Sequence, residues 1–229
     1  MSISEAETFV NAARGAPLLK KRDWILAIVK GKRVLDLGVV DHDMERALRA
    51  DEQWLHGHIK RLASHLVGID IDESSVSKLR DAGHNAICAD ATALRLDEKF
   101  DVVVCGDLIE HVTKPLDLLN TIAYHLDVGG RALISSPNAL SVSRIFNIWA
   151  DGSTSVNPEH VFWLCPQTIY QLVSRSDLAI DKLVWLVTDY PARTRRRFWG
   201  RIINSITPRI AARNKLLSDD FGVEMIRSK

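Results

Sequence analysis

The sequence predicts a doubly wound α/β fold, a mostly parallel sheet with helices on both faces, and three observations carry that expectation. Short β-branched apolar runs recur, each bounded by Gly, Asp or Asn as buried strands usually are. Stretches with helical spacing separate them. The runs are apolar throughout instead of alternating with polar residues, which is how strands covered on both faces read. With 229 residues, 46% of them apolar and 26% charged, the chain is long enough for one such domain and too short for two typical ones with a linker.

Five runs are read as the first strands: Arg33 to Gly38, Leu66 to Asp70, Asn85 to Ala89, Phe100 to Cys105 and Arg131 to Ser135. Between them, Trp54, Ile59, Leu62 and Ala63 mark one helix, and Val76 and Leu79 before Gly83 a second. Leu116, Leu119, Ile122, Ala123 and Leu126 before Gly129-Gly130 mark a third. Both glycine sites suit a helix C-cap, where positive φ is wanted. After Ser136 come helices around Leu140 to Trp149 and Pro166 to Arg175, then apolar runs at Leu183 to Val187 and Phe221 to Ile226. The total expected is seven strands.

Thirty basic residues against 29 acidic ones leave a net charge of +1, so no global field marks a nucleic-acid binder. The longest unbroken apolar run, Trp24 to Val29, has six residues and falls far short of the roughly 18 that span a bilayer. The opening MSISEAETFVNAARG has neither a basic n-region nor an apolar h-region, so a cytoplasmic protein is expected. Cys88, Cys105 and Cys165 form no CxxC pair and are read as reduced thiols.

In a doubly wound sheet, ligands bind outside the carboxyl ends of the strands at the topological switch point. There the sequence places VLDLGVVDH (Val34 to His42), GIDID (Gly68 to Asp72), CADAT (Cys88 to Thr92) and CGDLIEHV (Cys105 to Val112). A lone aspartate at such a place is more often a helix N-cap than a ligand contact. Acidic residues at four successive strand ends favour a shared ligand rich in hydroxyl and amino donors.

On these residues the chain resembles the class I S-adenosylmethionine-dependent methyltransferases, especially the small-molecule and glycan-modifying branch, from about Val34 to Arg175. The resemblance implies a Rossmann-like core at 33–136 under an N-terminal helical cover at 1–32, with an acceptor-side part at 137–229. It matches Asp36 and Gly38 to the acidic residue and glycine turn of the first strand. Asp70, with Ile71 beside it, takes the place of the ribose-binding acid, and Asp90 with Ala91 that of the adenine contact. Gly106 is placed among the cofactor-binding residues, the Glu110-His111-Val112 triplet falls on the loop facing the methyl group and acceptor, and Pro137-Asn138 match the pair after the fifth strand.

The turn departs from the family's GxGxG. It reads Gly38-Val39-Val40-Asp41-His42, and a side chain at Val40 disfavours positive φ and close backbone approach. A dinucleotide, whose pyrophosphate lies on bare backbone, suffers more from this than a ligand without phosphate. Asp70 also lies 32 positions past Gly38 (70 − 38), against about 20 in a dinucleotide fingerprint. A nicotinamide dehydrogenase is therefore disfavoured, and a non-catalytic module with this fold is the other rival. The added length is the insertion Ala50 to Ser64. Its Trp54 to His56 triplet either forms one local device with His42, itself placed among the cofactor residues, or packs a helix on the sheet.

Methyl transfer needs orientation above all and no covalent intermediate. For a hydroxyl acceptor a histidine base is natural near neutral pH, and two of the eight histidines are placed to serve: His111, and His160 in NPEHVFWL. Either one equally suits a structural role. Glu110, Glu159 and these histidines lack the i, i+4 spacing of helical ligands, so no metal is expected. The acceptor expected is a small molecule, a glycan or a lipid-linked precursor. From Tyr190 to Leu217 the chain holds eight basic residues and no acidic one, interleaved with Phe198, Trp199, Ile202, Ile203 and Ile206. Residues 190–217 read either as a peripheral membrane contact or as a cover over the acceptor pocket.

Overall fold

The computed structural model describes residues 3–40, 48, 54–152, 157–187 and 209–228. Among the described residues the elements run in the order α1 (Ile3–Ala13), β1 (Leu18–Lys20), α2 (Lys21–Val29), β2 (Arg33–Leu37), α3 (Leu55–Leu62), β3 (His65–Asp70), α4 (Glu73–Asp81), β4 (Ala86–Cys88), β5 (Phe100–Gly106), α5 (Pro115–His125), β6 (Leu126–Pro137), α6 (Val142–Asp151), α7 (Pro166–Val173), β7 (Leu178–Val187) and β8 (Asp220–Arg227). The strands form one sheet in the order β1-β7-β8-β6-β5-β2-β3-β4. All pairings are parallel except those of β8, which lies antiparallel between β6 and β7.

The sheet thus has eight strands where the sequence predicts seven. The addition is β1, a three-residue edge strand pairing with β7 in the region read as purely helical cover. Three residues are too few to show a period. A second correction concerns Gly129-Gly130. Helix α5 ends at His125, and Leu126 already pairs with Phe100. Gly129, at φ 77°, sits where the β5–β6 register shifts, and a Cβ on Gly130 would lie 3.1 Å from the carbonyl oxygens of Phe100 and Asp101. The pair makes an irregular strand entry and not a helix cap. Gly83, at φ 78° just past α4, does serve as the expected helix stop.

The strands are buried on both faces because their side chains alternate between two cores. Leu35, Leu37, Val103 and Cys105 meet Leu118, Leu119, Ile122 and Ile169 of α5 and α7 on one side. Val34, Val102 and Val104 meet Trp24, Ile25 and Ile59 of α2 and α3 on the other. Among the described residues no helix is long and apolar enough to cross a membrane.

Candidate active site

Strands β2 and β5 are neighbours at the middle of the sheet, and the chain runs outward from them in opposite directions, to β3 and β4 on one side and to β6 on the other. Their carboxyl ends are the switch point. Gly38, just past β2, has φ 77°, and a Cβ there would stand 3.2 Å from Leu108 of the loop after β5. The position therefore needs glycine for both conformation and space.

The next two residues are held without further glycines. The Val39 carbonyl accepts a 2.8 Å bond from Trp54 Nε1, and the Val40 amide donates to Asp70 Oδ2 at 2.9 Å. Asp70 also accepts from the Asp72 amide at 3.2 Å. Beside it Ile71 is 73% exposed, a large apolar side chain lying open at a strand end. Just past the neighbouring strand β4, Asp90 is exposed and accepts from the amide and hydroxyl of Thr92, both at 2.8 Å, while Ala91 leans on the core. Gly106 closes β5 across from Ser135. His42 lies outside the described residues.

Asp36 sits differently. The pleat aims it to the α3 face, where its carboxylate meets Nδ1 of His56 at 2.8 Å, both groups buried. Gly68 lies opposite Asp36 in the register, and a Cβ there would be 2.8 Å from His56 Cε1. The imidazole needs that missing side chain. The rings of His56, Trp54 and His84 pack at tilted and edge-on angles with centroids 5.0–5.4 Å apart. Burial and then the charge of Lys60 lower the pKa of His84 to about 4. The Trp54 to His56 triplet thus clamps helix, strand and turn together, with Asp36 engaged in that clamp.

The other side of the switch point is built by the loop after β5. Asp107 has φ 51°, pairs with Lys21 from α2, and accepts from Ser135 Oγ at 2.8 Å. Burial raises its pKa, but Lys21 outweighs that and holds it below the usual carboxylate value. For Lys21 burial works downward, and Asp107 followed by Asp220 raise it above normal. Glu110 is only 1% exposed, and neither of its oxygens meets a donor in hydrogen-bond geometry among the described residues. Burial, then the charge of Asp107, push it up to about 8. Asp220, at the start of β8, is pushed up to about 7 by burial and then Asp107.

The Glu110 carbonyl accepts from the amides of Val161 at 2.8 Å and Phe162 at 3.3 Å, which draws the 157–163 loop onto the strand ends. The turn closed by the His160 amide on the Asn157 carbonyl then sets His160 edge-on to His111, with centroids 4.6 Å apart. Burial and then His111 hold His160 below its ordinary pKa. A small recess here is lined by Glu110, Pro137, Arg144, His160, Phe162 and Trp163, with Arg144 over the Trp163 ring at 5.9 Å. Asn138 is fully buried and donates to the carbonyls of Leu216 and Ser218, so it ties down the chain before β8. Of the basic segment, Lys215 donates to the Ala16 carbonyl and Ala211 is buried; 190–208 lie outside the described residues.

The structure brings His111 and His160 together, and separately sets Asp70, Ile71, Asp90 and Ala91 side by side. Sequence reasoning missed Lys21 and Asp220. Two carboxylates at one strand end, Asp107 and Glu110, signal the need for a nearby cation, but a partner 86 positions away leaves no spacing to read.

Residues 12–183 match a family model described as a methyltransferase domain. A ubiquinone biosynthesis O-methyltransferase of Coxiella burnetii is 28% identical over 146 residues, covering 61% of this chain and 55% of that protein. The chain thus spans about half the length of the curated relatives it matches. Among solved structures, an S-adenosylmethionine-dependent methyltransferase from Mesorhizobium loti superposes with a TM-score of 0.54 at 20% identity, covering 90% of this chain and 95% of that one. The magnesium protoporphyrin IX methyltransferase of Synechocystis with bound SAH gives 0.54 at 15% identity, covering 99% and 84%. These likenesses show the fold.

Proposed function

This chain belongs to the methyltransferase-domain family, and from that premise we propose that it transfers a methyl group from S-adenosylmethionine to an oxygen or nitrogen of a small molecule, a hydroxyl being favoured. The observation that carries the reading is the open apolar Ile71 next to Asp70 at the end of β3, with Asp90 past the paired strand β4 and the left-handed turn at Gly38 bonded to the Ile69 carbonyl. Asp70 would take ribose hydroxyls, and Ile71, Asp90 and Ala91 the adenine. When bound, the cofactor supplies an electrophilic methyl group on a sulfonium.

The chain's own part is to hold the acceptor in line, which accounts for about 7–11 kcal/mol of barrier in well-oriented reactions. Phe162 and Trp163 offer aromatic faces, and Arg144 a cation. His160, neutral at neutral pH, can accept the proton of a hydroxyl, alone or with His111, a contribution of about 10²–10⁴-fold. The names of the ubiquinone and protoporphyrin enzymes support a small-molecule acceptor; a lipid-linked or glycan acceptor fits the same site. The five arginines of 190–208 belong to this reading as an electrostatic contact with an anionic membrane surface.

Calorimetry with S-adenosylmethionine tests the reading. Wild type should bind, and Asp70→Asn, which keeps the shape and removes the charge, should bind about 10–100-fold more weakly, as expected for one charged hydrogen bond. A folded wild type that binds no S-adenosylmethionine overturns it.

A further inference from the structure

The turn after β2 carries valines and a histidine where the GxGxG pattern has its later glycines, yet its backbone is pinned at each step. The amides of Gly38 and Val39 both donate to the Ile69 carbonyl, at 2.8 and 3.3 Å. The Val39 carbonyl takes the Trp54 indole N–H at 2.8 Å, and the Val40 amide goes to Asp70 Oδ2 at 2.9 Å. Three of these bonds tie the turn to β3. The fourth brings in Trp54 at the start of α3, from the insertion at Ala50 to Ser64. The side chains explain why valine is tolerated: Val39 is buried with Trp54, Val76, Leu79 and Ala86, and Val40 packs against that cluster. The left-handed step is confined to Gly38, at φ 77°, and both valines keep the negative φ that β-branched residues require. All three amides are engaged inside the protein, so the turn offers none of them to a phosphate, which suits a nucleoside ligand that carries none.

We propose that Trp54 is a positioning residue of the cofactor site: its indole N–H, acting through the Val39 carbonyl, braces the strand-end turn in the shape that admits S-adenosylmethionine and so stands in for the missing glycines. The identity of the ligand, though not the brace, rests on the methyl-transfer reading. The brace reaches the ligand by a short route. Asp70 holds the Val40 amide with the same carboxylate that takes the ribose hydroxyls in that reading, so a turn that shifts carries the ribose contact with it. Without the indole donor the buried Val39 carbonyl has lost its partner, and a buried polar group left unpaired costs more than the bond itself is worth. The turn then relaxes towards another donor, away from the shape that receives the cofactor.

The test compares full-length wild type with Trp54→Phe, which keeps an aromatic ring against Val76 and Leu79 and removes the donor. Gly83→Ala, strained at φ 78° but facing open space, controls for a general loss of stability. By calorimetry, at a temperature where all three are folded, Trp54→Phe should bind S-adenosylmethionine about 5–10-fold more weakly than wild type, the loss of one neutral hydrogen bond. Gly83→Ala should bind as wild type does. Hydrogen exchange without cofactor should show the Gly38–Val40 amides at least fivefold faster in Trp54→Phe, with those of Val103–Cys105 unchanged. In wild type itself, the Trp54 indole proton followed by NMR should shift on saturation with S-adenosylmethionine. Equal affinity in wild type and folded Trp54→Phe, a loss matched by Gly83→Ala, or an unmoved indole resonance overturns the proposal and leaves the methyl-transfer reading standing. A wild type that binds no S-adenosylmethionine removes that reading and the cofactor role together, and exchange then decides the brace alone: unchanged rates in Trp54→Phe overturn it as well.

Discussion

Removing the imidazole of His56 should be among the most damaging single changes to this fold, although the residue lies on a short helix that is not part of the sheet. His56→Ala leaves the Asp36 carboxylate buried, 4% exposed, without its 2.8 Å partner. Stranding one member of a buried pair costs about 3–5 kcal/mol. Loss of the ring's packing on Trp54 and His84 adds about 0.5–1.5 kcal/mol. For a chain of this size each kcal/mol lowers Tm by about 2–4 °C, so a fall of about 7–26 °C is expected. Replacing both partners with apolar residues, Asp36→Val with His56→Leu, removes the stranded charge and should cost less than His56→Ala alone. Urea denaturation followed by tryptophan fluorescence reads the effect, with Trp54 beside the lesion as reporter. If His56→Ala stays within about 1 kcal/mol of wild type, or if the paired replacement costs the sum of its two singles, the clamp does not hold the helix as argued.

Three further outcomes are expected. Gly83→Ala faces open space at φ 78° and should cost only backbone strain, about 1–2 kcal/mol, whereas Gly38→Ala meets Leu108 as well and should cost more in the same titration; the opposite order would dismiss the close-packed turn. Asp220, raised from 3.8 to about 7 on folding, contributes stability that is present below pH 4 and lost as pH rises through 7. The Tm advantage of Asp220→Asn over wild type should therefore grow from near zero at pH 4 to a plateau above pH 7, and a flat difference would show that Asp220 does not titrate in this way. In liposome flotation, binding should need anionic lipid, weaken with salt, and fall when Arg195, Arg196 and Arg197 become glutamine; equal recovery of wild type and triple variant in the unbound fraction would leave the segment as a pocket cover.

The sheet was legible because strands such as Phe100–Gly106 are apolar on both faces, a pattern that needs no knowledge of their neighbours. So was the line of carboxylates, since strand ends follow from strand boundaries. What Asp36 touches was not legible: its partner comes from an insertion, and only the pleat decides that it faces His56 and not the strand-end ligand site. The tie between Lys21 and Asp107 is hidden likewise, being a contact between two elements that no local period connects. His111 and His160 were legible one by one. Their meeting depends on two amides of the 157–163 loop hydrogen-bonding to the Glu110 carbonyl, and backbone contacts of that kind leave no mark on residue type.

The placement of β8 between β6 and β7 has a consequence for how the chain is made. Strands β7 and β1 reach the rest of the sheet through β8 alone. When the ribosome has finished Val187, it still has 40 residues (227 − 187) to add before β8 is complete. At about 5–20 residues/s that takes about 2–8 s. Throughout that interval one edge of β6 and the apolar stretch Leu183–Leu186 stand without their partner, each an open template for another nascent chain. A cell making many copies of this protein at once thus meets an aggregation hazard during synthesis, and fewer simultaneous nascent chains or a chaperone acting on that edge should raise the soluble yield without altering the stability of the finished molecule.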